Sequence, residues 1–367
     1  MSQSHAPYRA DEVGSLLRTA PLKEARAKRE KGEITPAQLK AVEDAEIKKI
    51  IAKQEDVGLQ LATDGEFRRS WWHFDFFWHL TGCERVTTAQ GIQFHGVQTK
   101  AESLKVTGRL DFPADHPMIE HFKFLKANTK VTPKMTIPSP SVMHFRGGRS
   151  AIAKDVYPEM GPYFEDLGKL YGKAIKAFYD VGCRYLQLDD TSLAYLNDPD
   201  QRAMIAAQGA DAEHQHEQYI RNINAAIKDR PASMRVTTHM CRGNFRSSWA
   251  AEGGYDFVAE ALFSELDVDG FFLEFDDERS GGFEPLRFVP EGKQVVLGLV
   301  TTKNGRPEDK DTLKRRVDEA SRYVPLEQLC LSPQCGFSST VEGNVLTVDE
   351  EIAKLRLIVE TAQEIWG

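Results

Sequence analysis

Residues 234–245 read MRVTTHMCRGNF, in which an apolar, β-branched run ends on His239 and Cys241. Runs of this kind recur along the chain, and longer amphipathic patterns lie between them. Such alternation is typical of parallel β-α units. The eight candidate strands are ADEVGS from Ala10, LQLATDGE from Leu59, KVTPKMTIP from Lys130, CRYLQLDD from Cys183, MRVTTHM from Met234, VDGFFLEF from Val268, KQVVLGLV from Lys293 and EQLCLSP from Glu327.

A single barrel accounts for these eight strands. In a chain of 367 residues they predict an α/β fold of the (β/α)8 TIM barrel type, with one domain over residues 1–367. Residues 90–112 alternate apolar and polar side chains with period two, which predicts a β-hairpin insertion after the second strand, within about residues 83–128. A doubly wound open sheet is the alternative, but no glycine-rich phosphate loop follows any candidate strand.

Composition and charge limit the expected binding partners and the expected cellular compartment. The net charge of −8 is dispersed and no basic stripe is present, so nucleic acid is not an expected partner. No apolar run approaches the roughly 18 residues of a membrane span, so no membrane association is expected. The five cysteines are odd in number and scattered, which favours reduced thiols. With the polar N-terminal stretch, these features predict a cytoplasmic protein.

Polar side chains follow almost every candidate strand. The active site of a TIM barrel lies at the C-terminal ends of its strands, so these side chains are expected to converge. In chain order the strand ends carry Gly14 and Ser15, Asp64 and Glu66, Ser139 and Ser141, Asp189 and Asp190, His239 and Cys241, Glu274, Thr301 to Lys303, and Gln334 and Cys335.

Four of these residues are of metal-ligand type. They offer one imidazole nitrogen, two thiolates and one carboxylate, a set that suits tetrahedral Zn²⁺. Their separations of about 30 and 60 residues differ from the short paired spacings of structural zinc sites, which favours a catalytic metal. Taken singly, each has an ordinary alternative, such as a packed thiol for Cys335 or a salt bridge from Glu274 to Arg279 or Arg287. The four residues are His239, Cys241, Glu274 and Cys335.

Six motifs carry a resemblance to a known family. They are VGS at 13–15, DGEFRR at 64–69, LQLDD at 186–190, THMC at 238–241, FFLEFDDE at 271–278 and SPQCG at 332–336. The motifs occur in this order in the catalytic half of cobalamin-independent methionine synthase, and the chain resembles the short, single-barrel branch of that family over nearly its whole length. The resemblance implies that the four ligand residues bind Zn²⁺ and that the metal holds the sulfur of homocysteine or a related small thiol.

The same resemblance implies how the amino acid is held. Glu66 and Asp189 would bind its ammonium group through charge-assisted hydrogen bonds. Ser15 and the backbone around Gly14 would bind its carboxylate, because glycine permits a close approach. From the residues alone, Glu66 could instead pair with a nearby arginine such as Arg69, and Asp189 could cap a turn.

Two departures from the family bear on the methyl donor. The long synthases carry a histidine on the seventh-strand loop that handles the proton at the folate leaving group, and a tryptophan after the third strand that stacks on the pterin. Here Lys303 or Thr302 stands at the first place and Pro140 near the second. Lys303 is predicted to assist the departing donor and, with Asp189, to be catalytic; a solvated loop lysine is the alternative.

The residues after Glu66 offer a second set of candidates. The stretch WWHFDFFWHL at 71–80 could line the mouth of the pocket and stack on a flat donor, or form core or a homodimer interface. Arg146 and Arg149 flank two glycines and could bind an acidic group of the donor or simply form a turn.

These observations predict a zinc-dependent S-methyltransferase that forms methionine from homocysteine. The expected donor is methyltetrahydrofolate, a methylcorrinoid or a smaller methylated compound. One alternative joins another thiol, of the coenzyme M type, to an epoxide or other small electrophile. A second alternative, from a different class, is a non-catalytic protein that binds zinc or a thiol.

Overall fold

Seven parallel strands form one curled sheet in the computed structural model, which describes residues 5–367. The order across this sheet is β1-β6-β7-β8-β9-β10-β11, and every neighbouring pair is parallel. The strands are β1 Leu61–Ala62, β2 Thr81–Thr87, β3 Gln93–Phe94, β4 Val97–Gln98, β5 Glu102–Asp111, β6 Thr132–Pro138, β7 Tyr185–Asp190, β8 Arg235–Met240, β9 Gly270–Glu274, β10 Gln294–Val300 and β11 Leu329–Pro333.

Helices separate the parallel strands along the chain, and this confirms the α/β, TIM-barrel-like class that the alternation predicts. The α-helices are α1 Ala20–Glu30, α2 Pro36–Asp56, α3 Phe74–Phe77, α4 Pro117–Asn128, α5 Pro140–Gly147, α6 Met160–Asp180, α7 Ser192–Tyr195, α8 Pro199–Ala207, α9 Gln215–Ile227, α10 Ala259–Glu265, α11 Lys310–Ala320 and α12 Val348–Trp366.

The first predicted strand differs from the expectation of eight strands. The stretch near Ala10 makes only an isolated parallel bridge to β11. Side chains occupy its backbone acceptors, since Gln187 Nε2 donates to the carbonyl of Val13 at 2.6 Å and Thr63 Oγ1 donates to that of Gly14 at 2.7 Å. A carbonyl that already accepts a side-chain hydrogen bond is less available to a ladder. The segment therefore lies along the sheet without extending it as a regular strand.

The segment between β1 and β6 forms two small antiparallel pairs. β2 pairs with β5, and β3 pairs with β4. The range 90–112, predicted to be a hairpin by itself, contains β3, β4 and β5 but not β2. None of the seven side chains of β2 is fully buried, so its sequence lacks the apolar alternation by which a half-buried strand is recognised.

The two faces of the sheet have different environments. Along β7, Leu186 and Leu188 belong to the main apolar core. Tyr185 points the other way, into a smaller apolar cluster that also contains Phe272 of β9. Because side chains alternate along a strand, Asp189 shares the face of Tyr185, inside the curl of the sheet.

Local signals set several helix boundaries as the sequence indicates. Thr35 caps α2, and its side chain and that of Gln38 form a capping box. After this helix comes Gly58, whose φ of +97° is in the region that favours glycine. Within residues 5–367, no helix combines the length and the apolar content needed to cross a membrane.

Candidate metal centre

Four buried side chains from three strand ends meet at one place. His239 lies in β8 and Cys241 follows it, Glu274 ends β9, and Cys335 follows β11. One ligand atom from each residue lies within 4.8 Å of the others, and the two sulfur atoms are 3.4 Å apart. The parallel register of the sheet thus joins residues that are far apart in the sequence.

The atoms of this cluster fit a bound cation. Among the described residues, neither ring nitrogen of His239 and not Oε1 of Glu274 has a hydrogen-bond partner, although all are buried. An unsatisfied buried polar group costs about 1–3 kcal/mol, so a ligand that satisfies them stabilises the site. Burial lowers the pKa of His239 to about 3, which keeps the imidazole in the neutral form that binds metals. One nitrogen, two sulfurs and one carboxylate oxygen are all donor types that zinc accepts.

A buried arginine lies beside the carboxylate of Glu274. Nη1 of Arg242 donates to the backbone oxygen of Glu274 at 3.2 Å and lies 3.9 Å from its Oε2. The hydroxyl of Tyr255 accepts from the Glu274 N–H at 2.8 Å and from Arg242 at 3.0 Å. Arg279, the partner considered from the sequence, is instead paired with Asp277 at 2.6 Å. Glu274 is therefore held by its backbone, and one carboxylate oxygen stays available.

Glu66 lines the same cavity as the cluster. Its Oε1 accepts from Thr136 at 2.8 Å and from Arg69 at 3.2 Å, while its Oε2 has no partner among the described residues. Its φ of +60° is unusual for a residue other than glycine and places the side chain in a strained turn. Burial raises the pKa of this carboxyl. The arginine pairing considered from the sequence is present, yet one oxygen remains free.

Asp189 is the second carboxylate on the cavity wall. Its register partner on β8 is His239, so it lies beside the cluster. Gln187 donates to its Oδ1 at 2.7 Å. Burial raises its pKa well above the usual range, and the neighbouring charge of Glu66 adds to this shift. Asp190 faces away and accepts from Ser141 and from the N–H of Leu193, so Asp190 rather than Asp189 acts as the local cap.

The N-terminal glycine and serine are placed differently from each other. Ser15 lines the cavity, and its Oγ accepts from the N–H of Ser338 at 3.4 Å. Gly14 is not part of the cavity wall. Its φ is +144°, and a Cβ there would lie 2.6 Å from Cγ2 of Thr136. Gly14 therefore allows the chain to pass close to β6, while Ser15 offers the polar atom.

Lys303 is not brought to the cavity wall. Its Nζ is 3.1 Å from Oδ2 of Asp276, and its side chain is 10 % exposed. Burial raises the pKa of Glu274, and the charge of Lys303 opposes that rise. The structure thus places this lysine behind the carboxylate ligand, paired with an aspartate, and not opposite the sulfur atoms.

Part of the cavity wall was not among the predicted site residues. The aromatic stretch is divided, because Trp72 and His73 line the cavity while Phe76 and Phe77 belong to the core. Trp71 contributes to both. The period-two pattern of the insertion predicts strands but contains no signal that its tip reaches the site. The stretch 71–80 and Arg146 were open alternatives in the sequence, and the structure places Trp71, Trp72, His73 and Arg146 on the wall. The cavity residues that no sequence signal indicated include Ile92, Phe94, Thr99, Asn244, Ser339 and Thr340.

Fold and site together define a class, that of TIM-barrel-like α/β proteins with a candidate metal centre at the carboxyl edge of the sheet. The chain belongs to the family described as the catalytic domain of cobalamin-independent synthase, whose sequence model matches residues 9–364. The residues that match span nearly the whole chain, as the six motifs indicate.

Three relatives illustrate this membership. The uncharacterized protein YxjG of Bacillus subtilis is 53% identical over 369 residues, which cover 100% of this chain and 97% of YxjG. A methionine synthase of Pyrococcus abyssi is 25% identical over 316 residues, covering 84% of this chain and 80% of that protein. A solved structure from Listeria monocytogenes, provisionally described as a vitamin-B12 independent methionine synthase, is 44% identical, with a TM-score of 0.81 and 100% of both chains covered.

Proposed function

We propose that the protein is a zinc-dependent methyltransferase that transfers a methyl group to the thiol of homocysteine and so forms methionine. The observation that carries the proposal is the meeting of four metal-ligand side chains within 4.8 Å, on the wall of a cavity that also contains Glu66 and Asp189. Membership of the cobalamin-independent synthase family supports the reaction type. In this proposal residues 1–367 act as one catalytic domain in the cytoplasm.

The ligand set would be His239, Cys241, Glu274 and Cys335, with Arg242 compensating the negative charge of the cluster. When bound, zinc supplies the lowered thiol pKa that makes a sulfur nucleophilic at neutral pH. The N–H of Gly243 donates to Sγ of Cys241 at 3.3 Å and stabilises negative charge on that sulfur.

The remaining residues would orient the amino acid. Glu66 and Asp189 present two carboxylates from adjacent parts of the wall, and an ammonium group between them satisfies the free Oε2 of Glu66. Ser15 lies on the same wall and would hold the substrate carboxylate. Such fixation places the thiol next to the metal ligands, because the chain of homocysteine is only a few bonds long.

Lys303 keeps an electrostatic role in the proposal. In its pair with Asp276 it lies close to Glu274 and modulates the charge of the ligand cluster. The direct proton transfer predicted from the sequence would require the lysine to leave Asp276 and enter the cavity. The Lys303→Met variant separates the two roles. If the lysine transfers the proton directly, the variant changes the pH dependence of the leaving-group step. If its role is electrostatic, that pH dependence stays the same.

The test uses the full chain purified with and without zinc. We expect about one zinc per chain, homocysteine binding by the zinc form alone, and methionine formation when a methyl donor is added. Methyltetrahydrofolate and methylcobalamin are the first two donors to compare. Equal homocysteine binding by the metal-free and zinc forms would contradict the proposal.

A further inference from the structure

The cavity has a second polar end, formed by His73 and Arg146, which the reaction as described does not use. His73 is 1% exposed, and neither of its ring nitrogens has a hydrogen-bond partner among the described residues. Nε of Arg146 has none either. Its Nη2 lies 3.5 Å from Oγ1 of Thr191, and its guanidinium lies over the ring of Tyr195, 5.5 Å from the centroid. Both side chains line the cavity with unused hydrogen-bonding capacity. These are the properties of a site that a ligand completes.

Burial lowers the pKa of His73 well below its usual value, and the charge of Arg146 lowers it further. The imidazole is therefore neutral, with one donor nitrogen and one acceptor nitrogen. Arg146 is the charged partner at this end. A guanidinium beside a neutral imidazole donor recognises an anionic oxygen group, such as a carboxylate.

An aromatic and apolar wall lies in the same cavity. Trp72 packs against His73 with ring centroids 4.5 Å apart, and Phe94 reaches the cavity from the insertion. The insertion is fixed there, because the N–H of His95 donates to the backbone oxygen of Trp249 at 2.8 Å and the two rings stack. Aromatic faces attract methylated cations, whose positive charge cannot form ordinary hydrogen bonds.

The cavity wall carries negative charge at one group of residues and positive charge at another. Glu66 and Asp189 are acidic, and Arg146 is basic. Among the described residues, no lysine lies on the wall, and the lysine predicted to handle a proton is paired with Asp276. A cationic sulfur or nitrogen that loses a methyl group becomes neutral and needs no proton, whereas the amine anion of a departing folate does. The wall is therefore suited to a donor that carries its own positive charge.

We propose, on the basis of the methyltransferase function above, that His73 and Arg146 bind the carboxylate of a small methyl donor whose methyl group sits on a sulfonium or quaternary ammonium centre. The cationic centre lies against Trp72 and Phe94. We call His73, Arg146, Trp72 and Phe94 the donor end of the cavity.

The chemistry of this transfer balances without a further reactant. The thiol of homocysteine loses its proton to solvent, and its sulfur forms a new bond to the methyl carbon. The bond between that carbon and the donor's cationic sulfur or nitrogen breaks, and its electron pair stays on the donor atom. The donor departs as a neutral thioether or tertiary amine, still carrying its carboxylate.

The experiment measures donor binding as well as turnover. The zinc-loaded full chain is titrated calorimetrically with dimethylsulfoniopropionate, S-methylmethionine and glycine betaine, each in the presence of homocysteine. We expect at least one of these to bind and to consume homocysteine. Dimethylsulfoniopropionate or glycine betaine should give methionine in a 1:1 ratio with its demethylated product, whereas S-methylmethionine, which becomes methionine when it loses a methyl group, should give two methionines per homocysteine consumed. The methyl ester of dimethylsulfoniopropionate keeps the cation but lacks the anion, so it should bind at least tenfold more weakly.

Variants assign the effect to the two residues. Arg146→Gln and His73→Asn should each raise the donor Kd at least tenfold and leave zinc content and homocysteine binding unchanged, while binding of the ester should hardly respond. Arg146→Lys should recover part of the affinity for the acid, which a merely unfolded variant would not show. Arg221→Gln, on the exposed side of α9, is the matched control.

The outcomes separate this inference from the function on which it rests. If homocysteine binds but none of the three onium acids binds or reacts, the donor inference is overturned and the methyltransferase proposal stands. Turnover with methyltetrahydrofolate or methylcobalamin alone also overturns it. If homocysteine fails to bind the zinc form, both proposals are wrong.

Discussion

The metal end of the cavity and its donor end are built in different ways. The metal end consists of His239, Cys241, Glu274 and Cys335, which lie on or directly after β8, β9 and β11. The donor end takes His73 from the segment after β1, Phe94 from the insertion and Arg146 from α5. Strand ends of one sheet converge by geometry, whereas segments from loops converge only through their own packing. We therefore expect changes at the metal end to act on chemistry and changes at the donor end to act on selectivity.

The largest effect should come from Cys335→Ala. Loss of one of four ligands should lower the zinc content from about one to less than about a tenth per chain, and activity by roughly 1000-fold or more. Elemental analysis of the purified chain measures the first quantity. Cys83→Ala is the control, because this thiol lies in β2 and not in the cluster. If the Cys335 variant kept its full zinc content, Cys335 would not be a metal ligand, and the expected contrast between the metal end and the donor end would be wrong.

Glu66→Gln should act next most strongly, on the amino acid and not on the metal. The loss of one charge-assisted hydrogen bond is worth about 1.5–3 kcal/mol, which corresponds to a KM for homocysteine roughly 10- to 100-fold higher. Zinc content should not change. A thiol acid without the amino group, 4-mercaptobutyrate, should react slowly and equally with wild type and variant. A difference between the two with that thiol would mean that Glu66 acts in some other way.

Tyr255→Phe tests the support of the metal end. The variant removes the hydroxyl that accepts from the N–H of Glu274 at 2.8 Å, so we expect zinc affinity to fall about tenfold. Competition with a chromogenic chelator measures that affinity. Tyr179→Phe also removes a hydroxyl, one that contacts Ser233 at 2.9 Å outside the cavity, and should leave zinc binding as it is. Equal affinities for all three proteins would show that the backbone of Glu274 needs no such support.

The smallest effect should come from Phe94→Ala, at the donor end. Loss of an aromatic contact to the donor should raise the donor KM a few-fold without a change in zinc content or in homocysteine binding. Steady-state kinetics at saturating homocysteine measures this. Val97, the β-pair partner of Phe94, does not line the cavity, so Val97→Ala is the matched control. A drop in zinc content in the Phe94 variant would show that the two ends are not independent.

Much of the metal end could be predicted from the sequence. His239 and Cys241 follow an apolar run, and Glu274 and Cys335 do the same on later strands. Because the carboxyl ends of parallel strands lie at the same edge of the sheet, these four side chains are expected to lie close together. The role of Lys303 was less predictable. Its position after β10 predicts a cavity residue. Instead, Lys303 forms an ion pair with Asp276, which is only two residues beyond Glu274.

Only part of the donor end could be predicted, because the stretch 71–80 and Arg146 were candidates with an ordinary structural alternative, while Phe94 was not a candidate. The pattern of β3 and β4 identifies strands, but no periodicity indicates that Phe94 reaches a cavity formed by distant strands. The stretch 71–80 is rich in aromatic residues, and only packing decides that Trp72 and His73 face the cavity while Phe76 and Phe77 face the core.

The sequence by itself determined the α/β class, the positions of the metal-ligand side chains at strand ends and the family, because each depends on residue order and local periodicity. Only the tertiary structure decided that the N-terminal stretch does not extend the sheet, that Lys303 pairs with Asp276, and that His73 and Arg146 share a cavity. Those features depend on contacts between residues far apart in the chain. Such contacts depend on which side chains compete for the same hydrogen bonds and the same space, and local sequence patterns do not predict the outcome of that competition.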